Sequence, residues 1–324
     1  MTPRPFRFGC QAYRATSRKE WVDLARRVED QGYATLHVAD HYIGPGAALD
    51  PTGHRAQTLA AVPAIAVAAE ATTRLLVGSR MFCVGYHHPV VLAKEAATLD
   101  VLSDGRFELG LGAGWLAPEY AAMGIPFAPA GERIALLAET VELVRQCLTG
   151  GPVDVAGEQV RARDFSALPA PVRAGGPPIM IGGGGRTVLT LAGRVADIVS
   201  VNFDNSAGAL GPDSFHSSTA ERTARKVDWV REAAGDRYGA LELEIGAYYV
   251  AVEGRTAATA DQLATRLGIS GAELETFPHA LTGSVDRICD VLEERRERYG
   301  LSYVTVGDAV ADAFAPVVER LAGR

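Results

Sequence analysis

Short apolar runs alternate with stretches in which apolar residues recur every three or four positions, nearly from one end of the chain to the other. Residues 6–13 form the first run. Behind them Trp21, Leu24, Ala25 and Val28 stand at i, i+3, i+4 and i+7, one face of a helix over 18–30 opened by a Thr16/Ser17 cap. The same strand-then-helix rhythm returns in TLHVA (35–39), followed by a polar Gly/Pro loop over 40–55 and an Ala-rich helix through Ala71. RLLVGSRMF (74–82) is the third strand, and Pro89 after His88 opens a helix to Leu102. SDGR (103–106) turns into a fourth strand, 107–112, and the helix over 131–148 is stopped by Gly150-Gly151-Pro152.

Alternating character over 153–165 and the Pro-rich LPAPVRAGGPP that follows predict a small hairpin and a surface excursion. PIMIG (178–182) resumes the rhythm with a helix at 187–194. DIVSVN (197–202) precedes a Gly/Ser/Asp-rich loop over 203–218, expected to be mobile, and then a helix at 219–234. A long strand over 241–252, an extra helical stretch at 258–275, a helix at 284–299, a strand at 302–306 and a last helix at 311–321 complete the chain.

Eight strands, each followed by a helix, predict parallel strands joined by right-handed crossovers: an α/β chain forming one (β/α)8 TIM barrel over 1–324, with insertions at its C-terminal face. A doubly wound open sheet is the alternative. Against it, no GxGxxG follows the first strand and no acidic residue stands at the dinucleotide offset.

Composition narrows the partners. Lys plus Arg number 32 against 39 Asp plus Glu, a net charge of −7 with no basic run, which argues against nucleic acid and anionic membranes. Cys10, Cys83, Cys147 and Cys289 are scattered singly, without zinc spacing or a disulfide framework, and are expected as reduced core thiols of a cytoplasmic protein. The first ten residues hold no signal-peptide core, and no apolar run reaches membrane-spanning length.

In a barrel of this kind the chemistry sits just after the strands. That selects Gln11, Asp40-His41, Arg80-Met81, Ala113-Gly114-Trp115, Gly182 to Arg186, and Asn202. Four consecutive glycines, Gly182, Gly183, Gly184 and Gly185, ahead of a helix allow backbone to approach a phosphate at free N–H donors, and Arg186 adds a charge; the plain alternative is a flexible turn. His41 is a general acid or base, or else Asp40 is a cap and His41 a rim residue. His87-His88 reads as a helix-start pair, and no metal is expected. LGLGAGW (109–115) ends in glycines and an indole suited to the wall of a flat ring. No GxSxG, Walker loop or HExxH is present, so hydrolase and kinase chemistry lack parts.

TLHVADHY (35–42), the blocks between Arg74 and Trp115, Glu119-Tyr120, PPIMIGGGGRTVLTLAGRVADIVSVN (177–202) and GSVDRICDVLEERRERYGLSYVTV (283–306) together resemble the luciferase-like monooxygenase superfamily, in particular its branch dependent on the deazaflavin coenzyme F420. The resemblance covers essentially the whole chain. It implies a dimeric barrel that binds F420, or reduced FMN, at its C-terminal mouth, with a non-prolyl cis peptide near Arg80-Met81 behind the ring. It places LGLGAGW along the ring, Gly183 to Arg186 at the phosphate, Asp40 at the ring and His41 as proton donor or acceptor. Related deazaflavin dehydrogenases carry a glutamate where this chain has Trp115, a departure that argues against a sugar-phosphate dehydrogenase and leaves His41, or solvent, as the acid.

Three functions follow from that resemblance. The first is an F420-dependent oxidoreductase that moves a hydride between the deazaflavin and a small organic molecule, as in C=C or C=N reduction. The second is an FMNH2-dependent monooxygenase fed by a separate reductase, and the third a cofactor-binding protein without turnover. The substrate pocket is expected beneath the loops at 42–55, 203–218 and 258–280, with Gln11, Tyr42, Trp115 and Asn202 facing a nonionic substrate.

Overall fold

The computed structural model describes residues 3–150, 152–208 and 212–324. Gly151 of the expected helix stop and residues 209–211 of the expected mobile loop lie outside the described residues. Eight parallel strands form the barrel: β1 (Arg7–Ala12), β2 (Thr35–Val38), β3 (Leu76–Ser79), β4 (Phe107–Gly112), β5 (Ile179–Gly183), β6 (Ile198–Val201), β7 (Glu242–Ala247) and β8 (Leu301–Gly307). Each pairs with the next in sequence, and β8 pairs with β1 through Arg7↔Tyr303 to Gln11↔Gly307. The register Val77↔Phe107 and Gly78↔Glu108 joins β3 to β4, so the ring has no open edge.

Eight helices pack outside: α1 (Arg18–Asp30), α2 (Ala61–Ala71), α3 (Pro89–Leu102), α4 (Ala130–Thr149), α5 (Arg186–Val195), α6 (Ala220–Ala234), α7 (Val285–Tyr299) and α8 (Ala311–Leu321). Their starts follow local chemistry. Ser17, Thr219 and Ser284 each accept a hydrogen bond from the N–H three residues on, as N-caps do. Trp21, Leu24, Ala25 and Val28 of α1 are buried as their spacing predicts, and Trp21 Nε1 donates to Ala64 O across to α2 (2.8 Å).

Two expected strands are cut short. The third stops at Ser79; the Arg80-Met81 peptide is cis, at the position the family resemblance implied, and Phe82–Cys83 then pairs again with β4. The seventh breaks at Tyr248: Tyr249–Val252 leaves the barrel and pairs, parallel, with Ala280–Gly283. Between them lie two short helices, Ala260–Leu267 and Gly271–Thr276, each opened by a capping box. The stretch after β6 carries a helix at Pro212–His216, and Asp204 N–H is bonded to Ser217 Oγ (2.8 Å). The hairpin forms as Pro152–Ala156 against Arg161–Ser166.

The lumen is polar at its base. Arg7 bonds Glu108 and Glu242 (2.5 and 2.7 Å), and its guanidinium lies 3.9 Å from the centre of the Tyr303 ring. Tyr303 also donates to Glu108 (3.1 Å), beside His37. The strands crowd here: a Cβ at Gly110 would lie 2.0 Å from the Ser79 carbonyl oxygen, so β4 tolerates only hydrogen at that point. All four cysteines are free and buried. Among the described residues no helix is long and apolar enough to cross a membrane.

Candidate active site

A cavity of about 360 Å³ opens at the C-terminal ends of the strands. Gln11, Asp40, His41, Arg80, Met81, Ala113, Gly114, Trp115, Gly182, Gly183, Gly184, Gly185 and Asn202, all expected at the site, line it. Tyr42 and Arg186 do not. Tyr42 is half exposed outside the lining, and Arg186, the first residue of α5, points to solvent.

Two carboxylate–imidazole pairs occupy the β2 side. Glu119, fully buried, accepts from His41 Nδ1 (2.6 Å), from the N–H groups of Tyr42 (2.5 Å) and Ile43 (3.2 Å), and from Tyr86 Oη (2.9 Å). Burial alone would raise this carboxyl, but the bond and charge of His41 and the other donors hold it below the usual carboxylate range. With a proton on Nδ1 fixed toward Glu119, the other ring nitrogen of His41 is the one left for the cavity. Asp40 accepts from Cys83 N–H (2.9 Å) and pairs with His87 Nε2 (2.8 Å). Burial works against charge on His87, yet Asp40 outweighs it and lifts the imidazole above its ordinary value. The expectation for His87 is thereby corrected: it is a partner of Asp40, not merely a helix-start residue.

His54 closes this side from the loop after β2. Its ring centre lies 4.1 Å from that of His41 and 5.5 Å from Trp115. Burial, then the proximity of His41, pushes His54 down to about 3, so it is neutral at physiological pH.

The floor is the Arg80-Met81 peptide, whose Arg80 carbonyl accepts from Gln11 Nε2 (3.1 Å). The Arg80 guanidinium turns down into the barrel instead, to Glu244 (3.0 and 3.1 Å), Gln11, Ser200, Asn202 and the Tyr248 hydroxyl. Arg80 therefore offers the cavity its backbone, its charge being neutralised below.

On the β4 side Gly114 adopts φ +74° and backs onto Cys83 and Tyr120, where a Cβ would meet the Tyr120 hydroxyl at 2.1 Å. Its carbonyl accepts from Arg133 Nε (3.2 Å). Arg133 is 8% exposed, also bonds the Ala128 carbonyl and lies over the Phe127 ring. Burial pulls its guanidinium below the ordinary arginine value, and no carboxylate pairs with it among the described residues.

The glycine run has more structural work than expected. A Cβ at Gly182 would meet Met81 Cε, at Gly183 Val188, and at Gly184 the backbone of Phe203, the last at 2.2 Å. Gly184 is thus required by its fit against the backbone just beyond β6 as well as lining the cavity. Gly185 differs: it is the N-cap of α5, no side chain caps the helix, and the atoms nearest the space a Cβ would take are those of the Asp204 carboxylate, at 3.5 Å or more. That leaves the first N–H groups of α5 open to an anion.

Glu119, His54, His87 and Arg133 were missed as site residues. Only Arg133 carried a local signal, a cation in the first turn of a helix, where the dipole disfavours one. Arg55 and Arg266 also line the cavity, against the expectation of a nonionic substrate site.

A closed parallel barrel with a ring-sized cavity, a cis peptide at its floor and an uncapped helix at one end defines a cofactor-binding (β/α)8 enzyme scaffold. Residues 4–315 match the family model described as luciferase-like monooxygenase, and the chain belongs to that family. It is 32% identical over 237 residues to an F420-dependent glucose-6-phosphate dehydrogenase of Nakamurella multipartita, covering 70% of this chain and 66% of the relative. With the enzyme of the same description from Amycolatopsis mediterranei it shares 33% over 183 residues, covering 55% and 52%. The chain thus spans between half and two thirds of the length of these relatives. The structure of an F420-dependent tetrahydromethanopterin reductase from Methanopyrus kandleri superposes with a TM-score of 0.75 at 20% identity, covering 97% and 96% of the two chains, a likeness of fold.

Proposed function

We propose that this chain is an F420-dependent oxidoreductase that moves a hydride between the deazaflavin and a small organic substrate, reducing a C=C or C=N bond or running the reverse reaction. One observation carries the reading. A single cavity joins the free nitrogen of a Glu119-anchored His41 to the uncapped α5 terminus and the unneutralised Arg133. The residues fit such a cofactor: Met81, Ala113 and Trp115 provide walls for a flat ring, while Arg133 and the α5 N–H groups suit a phosphate. The relatives described as F420-dependent support the same cofactor.

The bound deazaflavin supplies the hydride donor or acceptor. The chain's own residues do the rest. Glu119 fixes the His41 tautomer, and His41 delivers or takes the proton that accompanies the hydride. His54, neutral, packs against His41 with the two rings tilted, and Trp115 meets both imidazoles edge-on. The glucose 6-phosphate named for the relatives is not carried over, because Trp115 stands where related deazaflavin dehydrogenases carry a glutamate. Arg55 and Arg266 instead admit a substrate bearing negative charge.

Titration of the apoprotein with F420 and separately with FMN, followed by fluorescence quenching, tests the proposal. Preferential binding of F420 supports it. Preferential binding of FMN, with oxygen uptake, places the chain among the monooxygenases and calls for a reductase partner.

We infer further that the protein is a cytoplasmic homodimer. The buried free thiols suit a reducing compartment, and α3 exposes Val91 and Leu102 while its Lys94 and Asp100 bond the backbone of exposed Leu168 and Val172, which brings apolar side chains to one face suited to a second copy. Light scattering on Leu102→Glu tests the dimer, with a shift to monomer expected.

A further inference from the structure

One acid of the cavity has no role in this reading. Asp204 follows Asn202 and Phe203 beyond β6 and lines the cavity. Its Oδ1 accepts from Ser206 N–H (3.1 Å), which shapes the turn. Its Oδ2 faces the glycine run, 3.5 Å from where a Cβ would stand on Gly185. Gly185 is the N-cap of α5, the position from which a capping side chain reaches the free N–H groups of the first turn. The Asp204 carboxylate therefore borders the space that any anion must enter to use those groups. Behind the strand end, buried Lys226 donates to the Asn202 carbonyl (2.6 Å) and to Ser218 Oγ (2.8 Å), and its charge is felt at Asp204.

A carboxylate beside an anion site weakens binding in proportion to the charge of the anion. FMN ends in a phosphomonoester, which carries roughly 1.5 to 2 negative charges at neutral pH. The side chain of F420 is joined through a phosphodiester, which carries one. We propose that Asp204 is a specificity residue: it tolerates the singly charged diester at the α5 terminus and discriminates against the doubly charged monoester, so that a fold able to hold either cofactor favours the deazaflavin. This rests on the assignment of the α5 terminus as the phosphate site of an F420 enzyme. One charge facing Asp204 at about 5 Å in a largely aqueous setting costs roughly fivefold in affinity, and a second charge raises the penalty to roughly twentyfold.

The test is titration of the full-length wild-type protein and the Asp204→Asn variant with riboflavin, FMN and F420. Riboflavin, which lacks the phosphate, should bind both proteins equally; F420 should tighten about fivefold and FMN about twentyfold in the variant. An FMN-to-riboflavin affinity ratio that does not change between wild type and variant overturns the role of Asp204. Weaker riboflavin binding by Asp204→Asn would signal a disturbed turn, and Asp204→Ser, which keeps an acceptor for the Ser206 N–H, then decides by the same ratio. Wild-type protein that binds FMN more tightly than F420 overturns the deazaflavin reading itself, while the ratio to riboflavin still judges Asp204.

Discussion

The two ends of the barrel lumen use the same residue types to opposite effect. At the base, Arg7, Glu108, Glu242, His37 and Tyr303 form a cluster in which buried Glu108 satisfies both Arg7 and Tyr303, with Arg7 and Glu242 partly exposed at its edge. At the mouth, Glu119 holds one nitrogen of His41, whose ring lines the cavity, Asp40 lines the cavity while pairing with His87 outside the lining, and Arg133 bonds only carbonyls. Charge that is fully paired contributes rigidity. Charge paired on one side alone keeps a donor, an acceptor or a field available to a ligand, and for that reason the chemistry is placed at the mouth.

Breaking the base should cost most. Glu108→Ala removes a buried partner of Arg7 and should destabilise the fold by about 3–5 kcal/mol in urea unfolding, with cofactor affinity unchanged at temperatures where the variant is folded. Equal losses of stability and affinity would erase the distinction between the two ends. Glu119→Gln should do the reverse: turnover falls about a hundredfold as His41 loses its anchor, while the unfolding midpoint moves little. Arg133→Ala should weaken F420 binding by roughly ten- to a hundredfold, the value of a charge-assisted bond, with riboflavin affinity preserved.

pH separates the two ends more finely. Glu108, against the pull of burial, is held down to about 2 by Arg7 and His37, so its contribution is complete above the unfolded value near 4.5 and is lost only as pH falls toward 2. His87 is raised, so its contribution is complete below its unfolded value near 6.5 and is lost as pH rises through the folded value. The Tm difference between wild type and His87→Gln should therefore shrink from pH 6 to pH 8.5, while that for Glu108→Ala stays constant. The smallest effect is expected at Arg186→Ala, where an exposed cation outside the cavity should change F420 affinity by no more than about twofold.

The barrel was legible because its signals are local. Apolar runs fall on all eight strands, and the Ser17 cap and three-to-four spacing of α1 mark its start and its buried face. The break at Tyr248 was not legible, because β-forming residues continue through it; the chain changes partners there when Tyr248 turns its hydroxyl to Arg80 and Asn202 and Tyr249–Val252 pairs with Ala280–Gly283. The positions of Asp40, His41 and the glycines could be read from strand ends. Their partners could not, since Glu119 meets His41 across 78 positions and His87 meets Asp40 across 47. Such pairs exist only once the ring closes. The glycines carry a second requirement that the sequence did not disclose, because three of the four also make room for Met81, Val188 and Phe203.

The departure of the chain at Tyr248 and its return at Gly283 gives the segment between them the character of an exchangeable cartridge. It carries its own strand pair and its own small apolar core of Leu263, Leu274 and Phe277, which leans on Phe203, and it sends Arg266 over the mouth. Its two strands pair in parallel, Tyr249 beside Ala280 and Val252 beside Gly283. Around Arg266, away from the His279 bond to the Gly246 carbonyl of β7, residues can be exchanged without touching the His41–Glu119 pair, so the mouth can be reshaped while the barrel beneath it stays as it is.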